Sequence, residues 1–137
     1  MISSMLASAI SQAYPDAVIY KEQASQIERP AFYITEIKVS QTRAIGNRYY
    51  RYHQMVVRYF PLEEGAADHE ALNAVADKLY AALEYLAYDG WRSRGLQMNH
   101  RIEDNVLQFF VTVQLALKRP TNDPKMEQLQ TETTLKE

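Results

Sequence analysis

Three residues invite a catalytic reading. Asp16 follows Pro15, and Glu36 and Lys38 stand two apart in a β-rich run, so the chain formally spells PD…(D/E)xK. Two carboxylates could hold Mg²⁺ while a lysine stabilises a developing charge or an attacking water, the chemistry of metal-dependent phosphodiester cleavage. The motif is short, however. Pro-Asp after a helix is ordinary turn chemistry, and Glu-x-Lys on an exposed strand arises readily by chance. A nuclease is therefore the alternative reading and not the expectation. His53, His69 and His100 form no HExxH and no close pair, so a histidine metal site would need long-range convergence. The 4 glycines never form GxGxxG or GxxxxGK(S/T), and no serine lies in a GxSxG context. With 0 Cys, a thiolate zinc site, a CxxC redox pair, a Cys nucleophile and a disulfide-stapled module are excluded together. The expectation is no catalytic residue, no metal and no cofactor.

Contact chemistry has more to work with. The chain holds 10 Tyr against 4 Phe and 1 Trp, and tyrosine, an apolar ring with a polar tip, suits surfaces buried only part of the time. Tyrosine and arginine interleave in NRYYRYH, Asn47 to His53. Rings that stack on bases beside guanidinium groups would make a nucleic-acid surface, but there is no RNP-like motif, and both residue types are equally enriched at protein interfaces. Protein contact is the preferred reading, with a nucleic-acid module as a further alternative. Charge is sorted along the chain although the net value is only −2. From Ile37 to Leu62 there is no acid, while Lys38, Arg43, Arg48, Arg51 and Arg58 are basic. From Glu63 to Asp89 the acids Glu63, Glu64, Asp68, Glu70, Asp77, Glu84 and Asp89 face Lys78 alone. A basic and an acidic segment on one near-neutral molecule suit head-to-tail contact between copies. The plainer account is that the two neutralise each other within one chain or are solvated faces.

These residues need a scaffold. At 137 residues, 47% hydrophobic and 23% charged, the chain is one folded domain. Ile2, Met5, Leu6, Ala9, Ile10 and Ala13 recur at helical spacing until Pro15. A short strand is expected at Ala17–Glu22 and a second in the run AFYITEIKVS after Pro30, then a long one from Arg48 to Phe60, hairpin-paired with it through a sizeable loop around Thr42 to Asn47. A second helix carries Leu72, Val75, Ala76, Leu79, Leu83 and Leu86, with Asp68 as N-cap and Asp89-Gly90 as its stop. Trp91, just past that stop, is expected in the core or at its rim. Two strands follow, alternating at Leu96, Met98, His100, Ile102 and then at Leu107, Phe109, Val111, Val113, Leu115, Leu117, with Glu103, Asp104 and Asn105 as turn. The order α-β-β-β-α-β-β predicts an α+β domain over 1–119, a mixed or antiparallel sheet with two helices packed on one face. Residues 120–137 are expected to form a polar tail, mobile or docked on a partner. No apolar run is long enough to span a membrane, and the start of the chain lacks a signal-peptide pattern, so a soluble, intracellularly made protein is expected.

The chain resembles bacteriophage tail terminator proteins of phages and phage-derived contractile tail elements. The resemblance lies in PAFYI (Pro30 to Ile34), RAIGNRYYR (Arg43 to Arg51), RYFP (Arg58 to Pro61), VLQFFV (Val106 to Val111) and YPDAVIY (Tyr14 to Tyr20), covering most of residues 1–118. It implies a non-enzymatic assembly protein that caps the head-proximal end of the tail tube as a ring, typically of six copies, ends polymerisation and joins the neck. The implied partners are copies of itself, the tail tube protein, and sheath and neck or head-completion proteins. The implied place is the bacterial host cytoplasm during assembly and then the tail of the particle. Arg43, Asn47, Arg48, Tyr50, Arg51 and Tyr52 are the candidate inter-subunit or tube contacts, and Asp68, Glu70, Asp77 and Glu84 the complementary acidic surface. Arg43 and Arg48, facing a lumen, could meet passing DNA without sequence preference.

Overall fold

The computed structural model describes residues 1–21, 28, 30–61 and 69–120. Eight elements follow in the order α1 (Ile2–Ala13), β1 (Val18–Tyr20), β2 (Ala31–Arg43), β3 (Arg48–Phe60), α2 (His69–Ala82), β4 (Tyr85–Tyr88), β5 (Trp91–Glu103) and β6 (Val106–Lys118). The strands form one sheet in the order β1-β2-β3-β6-β5-β4. Only β1 and β2 run parallel, so the fold is α+β with a mixed sheet.

Both helices lie on one face because their apolar stripes need the same cover. Ile2, Met5, Leu6 and Ile10 of α1 and Leu72, Ala76 and Leu79 of α2 enter one core with Phe32, Ile34, Met55, Val57, Phe109, Val111 and Val113 of the sheet. On β6 the expected alternation is realised in full, every second residue from Leu107 to Leu117 packing on that core. Tyr14 leaves the helical region with φ of −133°, as the residue before a proline is pressed to do.

The structure corrects four expectations. The second helix does not extend to Leu86: it ends at Ala82, and the next residues form β4, the missed sixth strand. Asp89 and Gly90 are therefore a two-residue hairpin turn, with φ of 52° and 83° and Tyr88 paired to Trp91 across it. Both φ values are positive, as a type I′ turn requires. Trp91, expected in the core or at its rim, opens β5 with 38% of its surface exposed, which leaves the rim of the two. The loop expected over Thr42 to Asn47 shrinks to Ala44–Asn47, closed by Ala44 N–H to Arg48 O at 3.0 Å, with Gly46 at φ 69°.

The last correction concerns β5, where a bulge between Leu96 and Asn99 interrupts the alternation. Leu96 pairs with Thr112 on the face away from the helices, while Met98 and Ile102 pack on the core. Asp68, the expected N-cap, and residues 121–137 of the expected tail lie outside the described residues.

Candidate functional site

The hairpin candidates are sorted by strand alternation. β3 and β6 pair without interruption from Arg48↔Lys118 to Tyr59↔Leu107. Residues directly opposite share a face. Tyr49, Arg51 and His53 therefore join Met55 and Val57 on the helix side, while Arg48, Tyr50, Tyr52, Gln54 and Arg58 lie on the other, open face. Arg48, Tyr50 and Tyr52 are brought together there, the two tyrosine rings 6.5 Å apart. Arg43, paired with Tyr49, and Arg51 are turned to the helix side. Arg51 Nε and Nη2 donate to Gln41 Oε1 at 3.2 and 2.7 Å, and its guanidinium lies 5.7 Å from the Tyr49 ring. Asn47 holds the hairpin tip, donating from Nδ2 to Arg119 O at 2.8 Å and accepting from Arg119 N–H at 2.8 Å.

Sequence reasoning missed most of the open face. A bulge in β2 falls between Glu36, opposite Met55, and Lys38, opposite Gln54. Lys38 is thereby turned to the open side. Arg58 pairs with Gln108, and Gln108 with Arg101. Lys38, Arg48, Arg58, Arg101 and Lys118 thus share one face across four strands. Glu103 is the one acid among the strand residues on that face, with Arg101 Nη2 4.0 Å from its carboxylate. Ser40, Tyr52, Gln54, Leu96 and Thr112 line a shallow recess in its middle, and Phe110 and Asn99 continue it toward Arg101. Arg58 shares the parity of Arg48, which the sequence displays; Arg101 and Lys118 join only through the strand order.

The acidic candidates lie on the far side of the sheet. Glu70 and Asp77 are exposed on α2 and seven residues apart, close to two helical turns, so they fall on one stripe. Glu84 follows just past the helix end and is also exposed. Lys78, the lone cation of α2, sits 4.4 Å over the Tyr14 ring. No ion pair joins Glu70, Asp77 or Glu84 to any cation among the described residues. The two charged segments therefore do not neutralise each other within one copy there.

The three nuclease candidates are not assembled. The β2 bulge puts Glu36 and Lys38 on opposite faces, and Glu36 is paired with His53 Nδ1 at 3.1 Å. The histidines are scattered too. His100 lies between Tyr80 and Asn73: the Tyr80 hydroxyl is 2.8 Å from its Nδ1, and Asn73 Oδ1 2.9 Å from its Nε2. An imidazole protonated at Nε2 donates to the asparagine and accepts from the tyrosine. Burial first, and the Asp77 charge second, push the Tyr80 hydroxyl above its ordinary value, which keeps it a donor. No group of three metal-ligating side chains occurs among the described residues.

The open face thus gathers basic, aromatic and polar side chains on an unbroken β3–β6 pairing. A family model described as phage tail terminator protein matches residues 2–125. The chain belongs to the phage tail terminator family. Its general role is therefore in phage tail assembly, as a component of the tail. The match runs past residue 118, the end of the stretch over which the resemblance lies. No curated protein matches the sequence. Among the described residues no helix is long and apolar enough to cross a membrane.

Proposed function

We propose that this tail terminator works as a ring of identical copies, six in the simplest closure, that caps the head-proximal end of the tail tube, ends its growth and offers the neck a surface. It acts by contact and breaks no bond. The observation that carries the reading is the separation of charge within one copy: basic strands on one side of the sheet, an acidic helix on the other, and no ion pair between them among the described residues. A head-to-tail ring pairs such surfaces once per interface and leaves none over. Family membership supplies the tail as the place of assembly. Tube, sheath, neck and head-completion proteins are the partners at its two rims, and DNA passes through the lumen.

The test is direct. Purified protein added to growing tail tubes should give uniform short tubes with a density at one end in negative stain. Tubes that lengthen at the same rate with and without it would reject the reading.

A further inference from the structure

We propose that the open face of the sheet is the docking surface for α2 of the neighbouring copy, an assignment that rests on the ring reading above and says which surfaces close the ring. The basic partner is then not the β2–β3 hairpin as a unit. It is one face drawn from β2, β3, β5 and β6, with Lys38, Arg48, Arg58, Arg101 and Lys118 among its cations; Arg43 and Arg51, on the other face, take no part.

Three observations carry it. The first is charge: Lys38, Arg48, Arg58, Arg101 and Lys118, with one acid among the strand residues of the face, meet a helix whose outward acids Glu70 and Asp77 form no ion pair among the described residues and whose lone lysine is held against Tyr14. The second is direction. α2 packs on the other side of the same sheet, through Leu72, Ala76 and Leu79, so the two surfaces cannot meet within one copy and are presented to different neighbours, as head-to-tail contact needs. The third is shape. Ala74 and Ala81 are exposed on α2 between the carboxylates, giving a low ridge that the exposed Tyr50 ring and the recess beside Tyr52 can receive. The 14-residue helix is about 21 Å long at the usual 1.5 Å rise. Arg48 to Arg58 spans about 33 Å at about 3.3 Å per residue, long enough to seat it.

A charge-swap experiment on the full chain tests this. One variant carries Glu70→Lys and Asp77→Lys, the other Arg48→Glu and Arg58→Glu, and association is read on tail tubes by co-sedimentation and by end density in negative stain. Each variant alone should associate at least about tenfold more weakly than the parent, and an equimolar mixture should recover the parent's level. Recovery follows because every interface of an alternating ring then pairs one reversed surface with another or one native surface with another. If either variant alone associates like the parent, or the mixture fails although both melt normally, the assignment is overturned while the ring reading stands on the parent's caps. If Arg58→Glu does not fold, Lys118→Glu takes its place. Loss of binding to a short DNA duplex by the Arg48→Glu/Arg58→Glu variant, with association intact, would make the face a polyanion site and overturn the proposal. A parent that never caps tubes would sink the ring reading itself.

Discussion

Gly95 tolerates a side chain least. Its N–H donates to the carbonyls of Leu83 and Glu84 at 3.0 and 3.3 Å, drawing β5 against the chain that leaves α2. A Cβ there would collide with the Leu83 carbonyl oxygen and meet Val111 Cγ2 at 3.0 Å. Gly95→Ala should therefore lower stability by about 1–3 kcal/mol, as overpacking does, which urea unfolding measures directly. Three tyrosines give a second expectation. Burial pushes the Tyr14, Tyr59 and Tyr80 hydroxyls above their ordinary value of 10.0, with smaller pushes on Tyr14 from Tyr59 and on Tyr80 from Asp77. Between the unfolded and the raised folded value the native state holds more protons, so their contribution is complete below about pH 10 and is lost as pH rises through the folded values. Melting temperature should hold from pH 7 to 9 and fall toward pH 11, and Tyr59→Phe should flatten that fall. A melt indifferent to pH 11 would contradict it.

Among the elements, what could be read from the sequence and what could not divides cleanly. The α1 stripe, the alternation of β6 and the long β3 were legible because each repeats its period over many residues. β4 was not. Its four residues bury only Leu86, which falls three after Leu83 and seven after Leu79, close enough to the helical rhythm to be absorbed into α2. The informative residues were Asp89-Gly90, a hairpin pair as readily as a helix stop. The faces of β2 and β5 were illegible for a different reason: one extra residue, near Ile37 or Gln97, inverts every later side chain without altering composition. Core and surface should separate in a melt. Leu79, fully buried where α2 meets the core, should cost about 2–5 kcal/mol when replaced by alanine. Arg48→Glu, exposed and without an ion pair among the described residues, should stay within about 0.5 kcal/mol of the parent by the same measurement.

For the molecule as a whole, the proposed contact between copies is electrostatic at its rim, so its strength should follow ionic strength. The Debye length shrinks from about 10 Å at 0.1 M to about 3 Å at 1 M salt. Capping of tubes should weaken markedly over that range while the far-UV spectrum stays unchanged; capping indifferent to 1 M salt would point to an interface held by apolar contact instead. The clasp between Asn47 and Arg119 has one more consequence. It pins the outgoing strand to the tip of the β2–β3 hairpin. Anything fused downstream of Pro120 sets out from that single corner, so gold particles or fluorophores attached there would decorate one rim of an assembled cap and report which way up the cap sits.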